Sequence, residues 1–157
     1  MLAPKNILVA TDFSDCSTAA LDYGRAMARV FKARLHLLHV VEVFVIDSAA
    51  FGSAAAVLPS LQSALEKSAE ETLKKLMTPE DRSELKAVAV LRSVDTPAHA
   101  IVDYARDEKI DLIVVGTHGR KGLSHVLIGS VAEKVVRLAP CPVLTVRQPP
   151  AATSAAA

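Results

Sequence analysis

Five residues in the last third of the chain have the types and spacing needed to bind an anion. They form the pattern Gly116-x2-Gly119-x9-Gly129-Ser130, with Val131 next. Because glycine has no Cβ, its backbone reaches positive φ values and lets an anion approach the amide groups closely. The first pair can make a turn, and the second can start a helix whose first N–H groups and dipole favour negative charge. The pattern predicts a phosphate site built from Gly119, from the Gly129, Ser130 and Val131 amides and from the Ser130 hydroxyl.

Strand and helix patterns place this stretch at the edge of a sheet. Residues 111–115, Asp-Leu-Ile-Val-Val, form a short apolar run before it. Residues 130–138 have apolar side chains at helical spacing after it. A strand, a glycine-rich turn and a helix in this order present N–H groups to phosphates in open parallel sheets. We therefore expect the phosphate site at the end of this strand.

Strand-like and helix-like segments alternate along the whole chain. Continuous apolar runs, typical of strands buried on both faces, lie at residues 5–11, 35–41, 85–91, 111–115 and 141–146. Helical spacing covers residues 15–32, 60–77 (ended by Pro79), a helix opening at Thr96-Pro97, and residues 130–138. Five strands separated by four helices predict an α/β, three-layer, doubly wound sandwich of Rossmann-like type. Its parallel sheet is expected to have the order 3-2-1-4-5.

An acidic residue should face the glycine-rich stretch. Ligands in such sheets bind at the carboxyl ends of the strands where the connections reverse, which is between strands one and four. Thr11 and Asp12 end strand one, so they should meet Gly116 at the end of strand four. The Asp12 carboxylate can accept hydrogen bonds from ribose hydroxyls. Alternatively, Asp12 caps the first helix, for which Ser14 and Asp15 are also candidates.

The glycine spacing resembles the nucleotide-binding motif of the ATP-binding branch of the universal stress protein family. Three further segments resemble strands of that family: residues 7–14 (Ile-Leu-Val-Ala-Thr-Asp-Phe-Ser), 37–41 (Leu-Leu-His-Val-Val) and 140–146 (Pro-Cys-Pro-Val-Leu-Thr-Val). The similarity spans about residues 4–147. It implies the adenine nucleotide alpha hydrolase-like fold and an ATP-binding regulator.

The resemblance also implies a ligand and more of its site. The expected cofactor is ATP, with ADP and AMP as alternatives and Mg²⁺ as an optional companion. Ala10 and either Val40 or Val41 are expected to line the adenine slot. Arg120 and Lys121 can add positive charge near the phosphates, or they can lie in solvent.

The turn before the third helix departs from the family pattern. The family usually has a glycine where this chain has Asp95. A side chain at that position borders the nucleotide site, so it leaves the affinity and the base preference open.

Other functions have weaker support in the sequence. A slow ATPase, or a nucleotidyl- or phosphoryl-transfer enzyme, would need groups that are not evident, since the chain has no Gly-x4-Gly-Lys-Ser/Thr loop. A third alternative is an electron-transfer flavoprotein-like or dehydrogenase module; the glycines follow strand four and not strand one, which counts against the dehydrogenase fingerprint. His118 and His125 have no third ligand at a recognisable spacing, so we predict no metal site and no catalytic residue. His36 and His39, on or beside a buried strand, are expected to be satisfied core or rim residues.

Composition excludes several classes of partner. The 157 residues carry a net charge of +1 and contain no Trp, so the chain offers neither a basic surface nor stacking aromatics for nucleic acid. No apolar run approaches the ~20 residues that a membrane helix needs. Two distant cysteines and no secretion-signal pattern predict a reduced, cytoplasmic protein.

The chain is expected to form one domain over residues 1–147, followed by a flexible Pro- and Ala-rich tail over residues 148–157. Residues 42–58 are expected to be a mobile connection over the carboxyl edge of the sheet. Strand five, residues 142–146, would be a bare apolar edge unless a second copy pairs with it. The resemblance implies the same homodimer, while the regulatory partner stays open.

Overall fold

Helices and strands alternate as predicted, with one additional helix. The computed structural model describes residues 3–43, 57–117 and 129–147. Within these ranges the strands are β1 (Asn6–Thr11), β2 (Arg34–Glu42), β3 (Val88–Val94), β4 (Leu112–Gly116) and β5 (Val143–Val146). The helices are α1 (Asp15–Phe31), α2 (Leu58–Leu76), α3 (Pro79–Glu84), α4 (Pro97–Asp107) and α5 (Ser130–Leu138).

All five strands are parallel, and their order is β3-β2-β1-β4-β5. This confirms the predicted sheet. Ala10 of the central strand pairs with Leu38 of β2 on one side and with Val115 of β4 on the other. The connections therefore reverse between β1 and β4, which brings two segments distant in sequence to one edge.

Two apolar cores lie on opposite faces of the sheet. Ile7 and Val9 of β1 pack with α1 and α2, whereas Leu8 packs with α4 and α5; all three are fully buried. Successive side chains of a strand point to opposite faces, so a central strand covered on both sides is apolar throughout. The continuous apolar runs in the sequence have this cause.

The structure differs from the prediction between α2 and β3. α2 ends at Leu76, before Pro79, as expected, but Pro79 is also the first residue of the further helix α3. The side chain of Thr78 accepts a hydrogen bond from the Asp81 amide at 3.1 Å, and Asp81 Oδ2 accepts one from the Thr78 amide at 3.0 Å. This capping box starts a new helix. β3 begins at Val88, later than predicted, because the Leu85 amide still donates to the Asp81 carbonyl.

A buried ion pair joins α1 to this extra helix. Asp81 is 0% exposed and accepts hydrogen bonds from Arg25 Nε at 3.0 Å and Nη2 at 2.8 Å. Nη2 also donates to the Leu76 carbonyl oxygen at 2.6 Å. Burial alone would raise the pKa of Asp81, but hydrogen bonds from Arg25 and Thr78 outweigh it and hold that pKa below its ordinary value. The pair fixes α1 against the turn between α2 and α3.

A buried histidine joins β2 to α4. His36 is 2% exposed, and its Nδ1 lies 2.8 Å from the Tyr104 hydroxyl. Its Nε2 is buried and has no hydrogen-bond partner among the described residues. The expectation of a fully hydrogen-bonded core histidine therefore holds for Nδ1 but not for Nε2. The pKa of His36 is lowered mainly by burial and also by the positive charge of Arg34. The negative charge of Glu108 opposes this shift but is the smaller effect. Burial also raises the pKa of Tyr104 to about 12.

Acidification should destabilise the protein through His36. A histidine in the unfolded chain titrates near pH ~6.5, and the folded-state pKa lies lower, so the unfolded chain takes up the proton first as the pH falls. The free energy of unfolding should therefore decrease below about pH 6.5 until the folded-state pKa is passed. Urea unfolding at several pH values checks this: His36→Asn should give a flatter curve than wild type. His99→Asn, which removes an exposed histidine of α4, should keep the wild-type slope; equal slopes for His36→Asn and wild type would contradict the prediction.

Candidate functional site

The carboxyl ends of β1 and β4 lie side by side. Ala10 pairs with Val115, so the next residues, Thr11 and Gly116, end the two strands together. Asp12 follows Thr11 directly. This edge is the reversal point at which open parallel sheets bind their ligands.

Asp12 is held in the turn between β1 and α1. It is half-buried, and its Oδ1 accepts hydrogen bonds from the Ser14 amide at 3.1 Å and from the Ser14 hydroxyl at 2.6 Å. Ser14 is the N-cap of α1, since its side chain accepts from the Ser17 amide at 3.2 Å. The alternative in which Asp12 caps the helix is therefore wrong. The capping serine fixes the Asp12 carboxylate beside the strand ends.

Thr11 supports this turn from within the protein. Its buried hydroxyl lies 3.0 Å from the Ser17 hydroxyl and accepts a hydrogen bond from the Phe13 amide at 3.1 Å. Its carbonyl oxygen accepts a hydrogen bond from His39 Nδ1 at 2.7 Å. The structure thus places the Thr11 side chain against α1, although its position at the end of strand one predicted it as a ligand-binding residue.

Gly116 permits close packing of α1 on β4. A Cβ at this position would lie 3.0 Å from the Cys16 sulfur and 3.1 Å from its carbonyl group. Such distances are tighter than ordinary van der Waals contact, so a larger residue would push the first turn of α1 away. Cys16 is buried, and its thiol donates to the Val146 carbonyl oxygen at 3.3 Å. Gly116 therefore has a packing role in addition to any role in the turn.

The start of α5 is bonded to the end of β4. Gly129 is the N-cap of α5, and its N–H donates to the Thr117 carbonyl oxygen. The Thr117 N–H in turn donates to the Val146 carbonyl oxygen at 2.8 Å. The Gly129 amide is thus engaged within the protein, which corrects its predicted role as a phosphate donor. Ser130 and Val131 are exposed, and no described residue accepts a hydrogen bond from either amide, so these two are the candidate donors.

The structure distinguishes between the two valines predicted for the adenine slot. Ala10 and Val40 are half-buried and pack against the same core, under α4 and α5. Val41 is the next residue of β2, so it points to the opposite face, where it is 8% exposed. Val40 is therefore the better partner for Ala10.

Several predicted residues and segments lie outside the described residues. They are Gly119, Arg120, Lys121, His118 and His125, together with residues 44–56 of the predicted connection and the tail at 148–157. Asp95 is described: it is exposed and directly follows β3, next to the end of β2.

Two ring side chains beside Asp12 were not predicted as site residues. Phe13 has a φ of 66°, and its ring stacks on that of His39 with 4.0 Å between the centroids. Phenylalanine carries no sequence signal for positive φ, unlike glycine or asparagine. His39 could have been placed beside Thr11 only from the β1–β2 register, in which these two residues form the last pair. This register becomes known only with the structure.

The described residues contain neither a cluster of metal ligands nor a membrane-spanning helix. No three His, Cys, Asp or Glu side chains of residues 3–43, 57–117 and 129–147 come together as metal ligands. Among the helices of these ranges, none combines the length and the apolar character required to cross a membrane.

Sequence comparisons identify relatives along nearly the whole chain. The model of the Universal stress protein family matches residues 4–147. Universal stress protein MJ0531 of Methanocaldococcus jannaschii is 37% identical over 147 residues, covering 92% of this chain and 83% of the relative. Universal stress protein YxiE of Bacillus subtilis is 35% identical over 147 residues, covering 90% of this chain and 97% of that relative.

Solved structures agree with these relatives. Universal stress protein UspA from Lactobacillus plantarum superimposes with a TM-score of 0.81 at 30% identity, covering 94% of this chain and 100% of that one. A universal stress protein in complex with cAMP superimposes with a TM-score of 0.58 at 25% identity, covering 94% of this chain and 100% of that one. The family model spans residues 4–147, which include the glycine spacing, and the chain belongs to the universal stress protein family.

Proposed function

We propose that the chain binds an adenine nucleotide and acts as a nucleotide-responsive regulator. The observation that carries this proposal is the meeting of an acidic turn and a helix start at adjacent strand ends. Asp12 follows β1, and α5 begins at Gly129, which is bonded to Thr117 directly after β4. A carboxylate suits ribose hydroxyls, and helix-terminal amides suit phosphates.

The described residues supply three parts of the proposed site. Asp12 accepts hydrogen bonds from the ribose. The Ser130 and Val131 amides, with the Ser130 hydroxyl, donate to the phosphates at the positive end of the α5 dipole. Ala10 and Val40 line the adenine slot, with Val41 on the opposite face.

The motif adds three residues to this proposal. Gly116 and Gly119 form the turn after β4, and Arg120 adds positive charge near the phosphates. Gly129 sets the angle at which the chain enters α5, through its bond to Thr117.

The proposed ligand is ATP, with ADP and AMP as alternatives. The related universal stress protein with cAMP supports an adenine nucleotide as the ligand class. Mg²⁺ is an optional companion. The nucleotide phosphates and water would supply most ligands of that ion, because Mg²⁺ keeps several waters and binds substrate phosphates in nucleotide sites.

Gly129→Val should weaken ATP binding at least about a hundredfold, because the side chain crowds the helix start that donates to the phosphates. Mass spectrometry of the nucleotide retained through purification, followed by calorimetric titration with that nucleotide, measures the effect. Lys134→Gln, an exposed change later in α5, is the matched control and should bind like wild type. Unchanged affinity in Gly129→Val would refute the phosphate assignment.

Incubation of the purified protein with a stoichiometric amount of labelled ATP separates a regulator from a slow ATPase. A regulator binds ATP stoichiometrically without repeated turnover, whereas an ATPase keeps releasing phosphate over time. The regulator is favoured because the sequence lacks a P-loop lysine, and no base that could orient water is evident in it.

We further propose a homodimer through the edge strand, residues 142–146. The carbonyls of Pro142 and Val146 accept from the Ile113 and Thr117 amides of β4, at 3.0 and 2.8 Å. Because alternate backbone groups of a strand point in opposite directions, the Thr145 N–H points away from β4. The described residues contain no strand on that outer side, and pairing with a second copy would cover it.

Thr145→Pro should convert this dimer to a monomer, because proline removes an outward donor and leaves the β4 side of the ladder intact. Analytical ultracentrifugation at micromolar concentration measures the change. Thr145→Val keeps the donor and should remain a dimer. A monomeric wild-type protein would refute the proposal.

A cytoplasmic location and a single domain over residues 1–147 complete the proposal. Both cysteines are free thiols, as expected in a reducing compartment. Burial, followed by the charge of Asp111, raises the pKa of the Cys141 thiol, which disfavours its reactive thiolate form.

A further inference from the structure

We propose that His39 is a positioning residue that holds the Asp12 carboxylate where a ribose can meet it. The inference rests on the proposed function, because it concerns ligand selection by the same site. His39 occupies the last ladder pair between β1 and β2, opposite Thr11. It contacts residues on both sides of Asp12: Thr11 before it and Phe13 after it.

The first contact fixes the His39 ring. Its Nδ1 lies 2.7 Å from the Thr11 carbonyl oxygen. A carbonyl oxygen can only accept a hydrogen bond, so Nδ1 carries a proton. His39 is 5% exposed, which leaves its ring little freedom to exchange this bond for water.

The second contact supports an unusual backbone conformation. Phe13 has a φ of 66°, which a bulky L residue rarely adopts and which persists only when its surroundings hold it. The Phe13 and His39 rings are stacked, with centroids 4.0 Å apart and planes at 27°. The Phe13 amide also donates to the Thr11 hydroxyl at 3.1 Å. The ring stack and this bond together hold the turn in shape.

Asp12 lies between the two residues that His39 contacts. The direction of its carboxylate depends on the backbone at Thr11 and Phe13 and on the hydrogen bonds from Ser14. Removing the imidazole takes the donor from the Thr11 carbonyl and the stacking partner from the Phe13 ring. The start of α5 is bonded to Thr117, directly after β4, and none of the described backbone hydrogen bonds joins it to β2, so the phosphate donors should stay in place. The loss should therefore be confined to ribose recognition.

The test compares ATP with 2′,3′-dideoxy-ATP, which lacks the two ribose hydroxyls. Titration calorimetry measures both affinities. Wild type should bind ATP roughly tenfold more tightly than the dideoxy analogue, the value of a hydrogen bond to a charged acceptor. His39→Ala should lose this preference and bind the analogue within about twofold of wild type. Binding of the analogue also shows that the variant is folded.

Further variants separate positioning from general loosening of β2. His39→Asn places an amide N–H near the position of Nδ1 and should recover part of the preference. Phe13→Leu removes the ring stack and should lose part of it. His36→Asn changes a histidine of the same strand that contacts Tyr104 on the opposite face, and it should keep the full preference. If His39→Ala does not fold, His39→Phe retains the stacked ring without Nδ1–H and should lose part of the preference.

The outcomes distinguish this inference from the proposed function. Wild-type protein that binds no adenine nucleotide overturns both. An undiminished ATP preference in the His39 variants, or an equal loss in His36→Asn, overturns the inference alone. Wild-type protein that binds the two ligands equally shows that no ribose contact is made, which also overturns the inference and leaves phosphate recognition standing.

Discussion

Replacing Asp81 by alanine should lower the free energy of unfolding by about 3–5 kcal/mol. Asp81 is 0% exposed and is the counter-charge of Arg25, whose side chain is 16% exposed. The substitution leaves this guanidinium largely buried with only the exposed Asp22 carboxylate, 3.4 Å away, as a counter-charge, and it also removes the capping box with Thr78. Urea unfolding at neutral pH measures the loss.

Two comparisons make this result specific. Asp103→Ala breaks a 2.9 Å ion pair with Arg106, but these side chains are 63% and 57% exposed, so the change should stay within about 0.5 kcal/mol. Arg25→Met combined with Asp81→Ala leaves no unpaired charge in the interior and should recover part of the loss. A loss below about 1 kcal/mol in Asp81→Ala alone would mean that the pair contributes no more than a surface contact.

The ion pair also gives acid unfolding a second stage. The folded-state pKa of Asp81 lies below its ordinary value, so its contribution is complete above the unfolded pKa of about 3.9 and is lost as the pH falls through the folded pKa. As the pH falls, the destabilisation through His36 comes first, beginning below about pH 6.5, and the loss through Asp81 follows. Asp81→Ala should remove the lower stage, and His36→Asn should remove the upper one.

Gly24→Ala should destabilise the protein by about 1–3 kcal/mol, although alanine forms helices better than glycine. A Cβ at Gly24 would lie 2.3 Å from Val9 Cγ2. Val9 is 0% exposed on the central strand, and a β-branched side chain is stiff at χ1, so it cannot swing away. Either α1 or β1 has to move. Denaturant unfolding of the purified variant measures the cost.

A double-mutant cycle tests the cause. In a Val9→Ala background the obstructing methyl groups are gone, so adding Gly24→Ala should be neutral or stabilise by up to about 1 kcal/mol through helix propensity. Strict additivity of the two substitutions would show that the contact does not limit the packing of α1.

The sheet could be predicted from the sequence because burial on both faces leaves continuous apolar runs. The adjacency of Asp12 and Gly116 followed from the strand order alone. The extra helix was missed because Pro79 was read as a terminator, although Thr78 and Asp81 form a capping box that the sequence does contain. Proline both stops a helix and starts one, and only the flanking caps decide between the two.

The finer features of the site depend on register and on distant partners. Val40 and Val41 are adjacent in an apolar run, so only the pairing of β2 shows which one shares a face with Ala10. The acceptor of the Gly129 amide is the backbone of Thr117, and backbone groups leave no mark in a sequence. The His39 contacts depend on the same β1–β2 register.

The parallel order of the strands has a kinetic consequence. β1 and β2 are joined by one helix, but β1 and β4 pair across most of the chain, and the Asp111 carboxylate that accepts from the Lys5 amide is 106 positions away. Closing so long a segment costs more chain entropy and slows folding. We expect β1, β2 and β3 to pair first. The pairing of β1 with β4, which forms the β1–β4 seam, should come last. A ligand held across that seam would bind only molecules that have completed the final step of folding.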